Sequence, residues 1–247
     1  MSPHDISKNV SENIRIVLIE PKHPGNIGAV ARAMKTMRLA NLYLVRPVEF
    51  PSFDAERRAV GALDTLKAAT VVERLEDAIG DCRLVIGTTA RARAHPHPVL
   101  SARSCAEKLA REANARAPAA VLFGPERTGL SNRDMDACTF QLTIPTNPEF
   151  ASLNLASAVQ LLSYEIFLAS EQAPAPDPRS VEYPNQSDME FFYKHLEKTL
   201  VSRNFLDEAR REVTVSKMRR LFGRARPRIG ELKLLHSLVK LMERGGD

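Results

Sequence analysis

Three stretches gather polar residues at the ends of apolar runs. They are "NIGAVARAMKTM" with Asn26 and Arg32, "LFGPERTGLSN" with Glu126, and "IPTNPEFASLNLASAV" with Ser152 and Asn154. Together they offer a guanidinium, a carboxylate, a hydroxyl and two amides, a set of polar groups at the junctions of elements. It suits covalent catalysis poorly. Ser152 lies in no GxSxG elbow, and the six histidines (4, 23, 95, 97, 195 and 236) show no recognisable triad order. Nucleotide-binding signatures also fail. Gly25 and Gly28 do not make GxGxxG, and in "GPERTGL" Leu130 stands where a P-loop needs lysine.

Each stretch sits at a junction between elements. In the first, steps of 100° put Ile27, Val30, Ala31, Met34 and Met37 on one stripe and Arg32 roughly opposite, near Gly25, Gly28 and Thr36. Arg32 is then either an ordinary solvated arginine or one that small neighbours leave open to close approach by another chain. In the second, Gly124 and Gly129 permit a tight turn, and Ser131 with Asp134 three residues on reads as a helix N-cap. In the third, Pro145 and Pro148 forbid regular structure until a helix starts. Ser152 or Ser157 is placed to cap that helix, and the apolar residues of Leu153–Phe167 cover most of its circumference.

The elements that must position these residues alternate. "IRIVLI", "NLYLV", "RLVIGTT", "AAVLF" and "TFQLTI" read as strands at Ile14–Ile19, Asn41–Val45, Arg83–Thr89, Ala119–Phe123 and Thr139–Ile144. Helical patterns fall at Asn26–Met37, Leu75–Ile79, Ser101–Arg116 and Asn132–Cys138. Apolar strands alternating with helices predict an α/β domain with a mainly parallel sheet covered on both faces, over residues 1–171. Residues 172–188 hold four prolines and read as a linker. Residues 189–247 carry three helical patterns, a small all-α extension of a size that must dock on the body or on a partner.

Within the 247 residues no apolar run is long enough to span a bilayer, and the first residues lack a signal-peptide core, so a cytoplasmic location is expected. Cys82, Cys105 and Cys138 form no CxxC pair and read as buried, reduced thiols, with no metal site expected. Residues 189–247 hold 14 Lys and Arg against 8 Asp and Glu, whereas the rest is near neutral. The segment "KMRRLFGRARPR" alone has Lys217, Arg219, Arg220, Arg224, Arg226 and Arg228 and no anion. It reads as a phosphate-contacting surface or a solvated helix face. Phe222 within it is placed to stack on a base or, more simply, to pack in the extension.

Taken in order, the three polar stretches resemble the three motifs of the SpoU-type RNA ribose 2′-O-methyltransferases, over about Ile14–Ile166. The basic tail resembles the extension of the branch that methylates tRNA at nucleotide 32. The resemblance implies a SPOUT fold whose C-terminal part is threaded into a trefoil knot. It also implies S-adenosylmethionine as methyl donor and a homodimer with sites at the subunit interface. The expected substrate is cytidine or uridine 32 in the anticodon loop of tRNA. Asn26, Arg32, Glu126, Ser152 and Asn154 match the motifs' polar residues. Donor contacts are expected from Thr88, Thr89, Ala90, Gly124, Ile144 and the backbone of Ala151–Leu153. Arg32 is expected to clamp the substrate phosphate and stabilise the developing alkoxide, and Glu126 to orient its loop. The sequence departs from the family at Ala151, where some members have serine, and at Arg38, where glycine is frequent. Methylation of another tRNA or rRNA site, or a catalytically silent RNA-binding protein, are the alternatives.

Overall fold

The computed structural model describes residues 10–90, 97–114, 118–173 and 181–244. Seven strands form one sheet: β1 (Ile14–Ile19), β2 (Asn41–Val45), β3 (Thr70–Val72), β4 (Leu84–Thr88), β5 (Val99–Leu100), β6 (Ala119–Phe123) and β7 (Phe140–Leu142). Their order is β3-β2-β1-β6-β4-β7-β5, and every pairing is parallel. Two late strands are inserted between earlier ones, β6 between β1 and β4 and β7 between β4 and β5. The strands expected at Arg83–Thr89 and Thr139–Ile144 are shorter at both ends. Beyond Thr88 and Leu142 the chain turns into the loops that carry the candidate site.

Alternation along the strands divides the core. Ile14, Ile16 and Leu18 face one layer, Val17 and Ile19 the other. The first layer holds α1 (Pro24–Thr36), α2 (Phe53–Arg58), α3 (Leu63–Lys67), α5 (Ala102–Asn114) and α7 (Leu155–Glu171). The second is thinner, with α4 (Leu75–Ile79) and α6 (Asn132–Asp136). Helix α1 starts two residues before the expected Asn26, because Pro24 fits the first helical turn, where its missing N–H costs nothing. The expected end at Cys138 also differs. Helix α6 stops at Asp136, and Arg116 lies outside the described residues. The small residues beside Arg32 do not admit another chain as expected. A Cβ on Gly28 would sit 2.0 Å from the Ala55 carbonyl oxygen, so α2 of the same chain already occupies that groove.

The extension comprises α8 (Gln186–Ser202), α9 (Arg211–Ala225) and α10 (Ile229–Arg244). It begins at Gln186 rather than residue 189, because Asn185 and Asp188 form a reciprocal capping box. Its own core gathers Phe192, Tyr193, Leu196, Leu232 and Val239. Phe222 packs edge-on against Phe192, with ring centroids 5.0 Å apart. The extension docks on the body at the edge where the strands begin. Gln186 N–H donates to the Cys82 carbonyl (3.0 Å), Ser187 N–H to that of Gly80 (2.8 Å), and the Gln186 amide to that of Ala137 (2.7 Å).

All three cysteines are buried thiols that form no disulfide, and burial pushes the Cys82 and Cys105 thiols up to about 12. Among the described residues no helix is long and apolar enough to cross a membrane. No group of three His, Cys, Asp or Glu among them could hold a metal.

Candidate active site

In an all-parallel sheet the strand ends share one edge, and loops leaving those ends line the ligand crevice. Here the loops after β1, β6 and β7 meet. The Asn26 amide donates to Glu126 Oε1 (2.8 Å), and the Asn154 amide donates to Asn26 Oδ1 (3.1 Å). Glu126 also accepts from the backbone N–H of Lys22 (Oε2, 3.0 Å) and of His23 (Oε1, 3.3 Å). Burial pushes the Glu126 carboxyl up. The hydrogen bonds from Asn26, Lys22 and His23 outweigh it and hold the group below the ordinary carboxylate range. Engaged three times, this carboxylate ties the β6 loop to the residues on either side of the start of α1.

Glu126 also fastens the turn that leads into α1, since Lys22 and His23 immediately precede that helix. Helix α1 has His23 at its N-cap with no side-chain cap bond, and no acid in its first turn. A carboxylate from a loop 100 residues away places its negative charge beside the start of the helix, while the first-turn N–H of Gly25 is directed to Asp54 on α2. This role of the Lys22 and His23 N–H groups was missed in the sequence. The available signal was the absence of Ser, Thr, Asp or Asn before Pro24.

Asn154, not Ser152 or Ser157, caps α7. Its Oδ1 accepts from the Ala156 N–H at 2.9 Å while its amide reaches Asn26. Both serines are as good in type, but only Asn154 immediately precedes the first helical residue. Ser152 is exposed two residues earlier. Arg32 is exposed on α1 and makes no ion pair or hydrogen bond among the described residues. The structure thus joins Asn26, Glu126 and Asn154, keeps Ser152 on the adjoining loop, and leaves Arg32 apart.

The expected donor contacts fall on the same edge with differing local duties. The Thr88 hydroxyl donates to the Leu122 carbonyl (2.9 Å), and Thr89 N–H to the Leu142 carbonyl (3.0 Å), binding the ends of β4, β6 and β7 together. Ala90 is exposed at the end of that segment. Gly124 lets its loop fold back on itself, since a Cβ there would lie 2.3 Å from the Gly129 carbonyl carbon. Ile144 packs partly buried against the core. The Thr146 hydroxyl donates to the Ala151 carbonyl (3.2 Å), closing the loop before α7. The backbone N–H groups of Ile144, Ser152 and Leu153 have no partner among the described residues. An irregular loop with free backbone donors fits a ligand with a planar hydrogen-bonding edge, such as an adenine.

Far from this edge, the six tail cations divide. Arg219 forms a two-pronged pair with Glu190 (2.6 and 2.9 Å) and covers the Tyr193 ring. Arg220 reaches Asp136 (3.6 Å) and the Ser216 hydroxyl (2.7 Å), and Arg226 pairs with Glu112 (2.7 Å). These three are held inside the chain, whereas Lys217, Arg224 and Arg228 are exposed.

Residues 13–164 match the SpoU rRNA methylase family, and residues 187–246 match the C-terminal domain of the tRNA methyltransferase TrmJ. The chain is 47% identical over 237 residues to the tRNA (cytidine/uridine-2′-O-)-methyltransferase TrmJ of Yersinia enterocolitica, covering 94% of this chain and 92% of that protein. It is 45% identical to the TrmJ of Pectobacterium atrosepticum, covering 96% and 99%. The crystal structure of TrmJ from Z. mobilis ZM4 superposes with a TM-score of 0.82 at 31% identity, covering 93% of this chain and 98% of that one.

Proposed function

The chain belongs to the SpoU methylase family, with a TrmJ-type extension, and from that premise we propose that it methylates the ribose 2′-hydroxyl of cytidine or uridine at nucleotide 32 of tRNA, using S-adenosylmethionine. The observation that carries this reading is the Asn154–Asn26–Glu126 chain, which locks the three motif loops together beside the unpaired backbone donors. When bound, S-adenosylmethionine supplies the methyl group as an electrophile, so the protein needs no nucleophile. The backbone of Ile144 and Ala151–Leu153 holds it, within walls set by Thr88, Thr89, Ala90 and Gly124. The Ser152 hydroxyl and the Asn154 amide orient the ribose, and alignment of this kind can lower a barrier by roughly 7–11 kcal/mol. Arg32 clamps the substrate phosphate and stabilises charge growing on the 2′-oxygen. Arginine stays protonated in proteins, so the hydroxyl proton leaves to phosphate or solvent.

Arg32 stands apart from the other four residues, and α7 beside it exposes Leu161 (45%) and Tyr164 (48%). Helices α1 and α7 lie side by side, with Arg38 bonded to Glu171 (3.0 Å) at their far ends. A second copy seated on this face completes each site, which makes the enzyme a homodimer. The late insertion of β6 and β7 supports a threaded, knotted path. Lys217, Arg224 and Arg228 contact tRNA phosphates, and Arg219, Arg220 and Arg226 hold the surface that presents them. With tRNA as substrate the enzyme works in the cytoplasm.

The test is incubation with tRNA and S-adenosylmethionine followed by mass-spectrometric mapping of methylated ribose. A 2′-O-methyl group at nucleotide 32 is expected, and no product on any tRNA overturns the reading. Arg32→Ala is expected to abolish turnover while donor binding persists; normal turnover would remove Arg32 from the mechanism.

A further inference from the structure

The seam between the body and the helical extension holds a partly open cavity of about 40 Å³, lined by Cys82, Arg83, Asp136, Tyr183, Tyr193 and Arg226 among others; the Asp136 carboxylate is paired with Arg220. A single water needs about 10–15 Å³ measured this way, so the space suits several waters or one small polyatomic ion. Arg226 is the unusual member. Its Nη1 is anchored to Glu112 Oε1 at 2.7 Å, its plane lies 3.8 Å from the Tyr183 ring centroid, and its side chain is 16% exposed. Its remaining edge, Nε and Nη2, is buried with no hydrogen-bond partner. Those two donors form the side-on fork that matches two oxygens of a phosphate or carboxylate. Buried donors of this kind need an acceptor.

The surroundings point to an anion and not to water alone. Arg83 lines the same cavity, and its side chain has no hydrogen bond or ion pair among the described residues. Lys108 and Arg111 stand on α5 beside Glu112. Burial chiefly, with the nearby charges of Arg226 and Arg111, pushes the Lys108 ammonium below its ordinary range despite Glu112. The Arg226 backbone adopts φ +48, where glycine or asparagine is usual after a helix, so its placement is held against local preference.

We propose that this seam is a phosphate-binding site, with the Arg226 Nε–Nη2 fork gripping two oxygens and Arg83 supplying the second cation. The site lies where the strands begin, at the opposite edge from the methyl-transfer loops, and does not depend on the function proposed above. A phosphate ligand arrives either as a free anion or as part of an RNA backbone, and the two arms of the experiment separate these sources.

Full-length protein is titrated calorimetrically with inorganic phosphate, chloride replacing it at constant ionic strength in the control. One saturable site per chain is expected. Arg226→Lys keeps the charge but loses the fork and should weaken binding about tenfold; Arg83→Gln should weaken it as well. Circular dichroism checks that each variant is folded, and if Arg226→Lys is not, Arg83→Gln carries the test. In the second arm, tRNA binding is measured in phosphate against chloride. Competition by phosphate means that the seam takes a tRNA phosphate, and unchanged tRNA affinity means that it takes the free anion. Absence of saturable phosphate binding, or equal binding by wild type and folded variants, overturns the proposal. The nucleotide-32 product is read in a separate assay, so it stands or falls independently.

Discussion

Replacing Glu126 by glutamine tests the assembly of the three loops with the loss of one charge and almost no change of shape. Glu126 accepts three hydrogen bonds, from the Asn26 amide and the N–H groups of Lys22 and His23. Glutamine keeps one oxygen, so its amide must face a donor, and one bond is lost. A hydrogen bond to a charged group contributes about 1.5–3 kcal/mol, and the remaining bonds weaken once their acceptor is neutral. The site is partly open to solvent, so the expected loss is discounted to about 1–2 kcal/mol. For a chain of this size that is roughly 2–8 °C in Tm. The pH dependence gives a second reading. The folded carboxyl titrates below its unfolded value, so its stabilisation is complete above the ordinary carboxylate range and is lost as pH falls through the folded value. The gap between wild type and Glu126→Gln, measured by urea melts from pH 7 to pH 3, should therefore close on acidification. The variant should also lose kcat more than donor affinity, because Asn26 and Asn154 lose their alignment. A variant within about 0.5 kcal/mol of wild type at pH 7, with a gap that does not change with pH, would refute this role of Glu126.

Other substitutions probe the rest of the frame. Arg38 has φ +60 and bonds to Glu171 at half-exposed positions. Arg38→Gly should relieve about 1 kcal/mol of backbone strain against a surface pair of about 0.5 kcal/mol, leaving Tm unchanged or slightly raised. Gly28→Ala drives a methyl into the Ala55 carbonyl and should cost about 1–3 kcal/mol in chemical denaturation, with α2 displaced. Neutralising Lys217, Arg224 and Arg228 together should lower the slope of log affinity for tRNA against log salt by about 2–3 with no loss of Tm. Arg219→Ala should instead lower Tm, because it strands Glu190 partly buried beside Tyr193.

What could be read in the sequence was what repeats locally. The central strands are continuous apolar runs, and their period and length identify them without tertiary information. Helices α2 and α3 went unread because "FDAERR" and "LDTLK" are too short to show a period. Strands β3 and β5, of three and two residues, exist only because β2 and β7 offer a free edge. The third loop shows the same limit at the site. Three residues there could cap a helix, and which one does so depends on where the β7 loop hands over to α7. The tail is the sharpest case. Its charge is evident in the text, but Arg219 and Arg220 are engaged by Glu190 and Asp136, and Arg226 gives one nitrogen to Glu112, acids from 29 to 114 positions away.

The carboxylate that fastens the turn into α1 has a consequence for how the chain is made. Residues near 26 leave the ribosome 100 residues before Glu126. At roughly 5–20 residues per second, the turn into α1 waits about 5–20 s for it. Over the same interval β1 lacks its β6 neighbour, which ends just before Glu126. One late segment therefore joins β1 to β4 and fastens the turn into α1 together. A chain interrupted before Ala119 has neither β6 nor Glu126, and so lacks both the β1–β6 pairing and the Asn26–Glu126 contact.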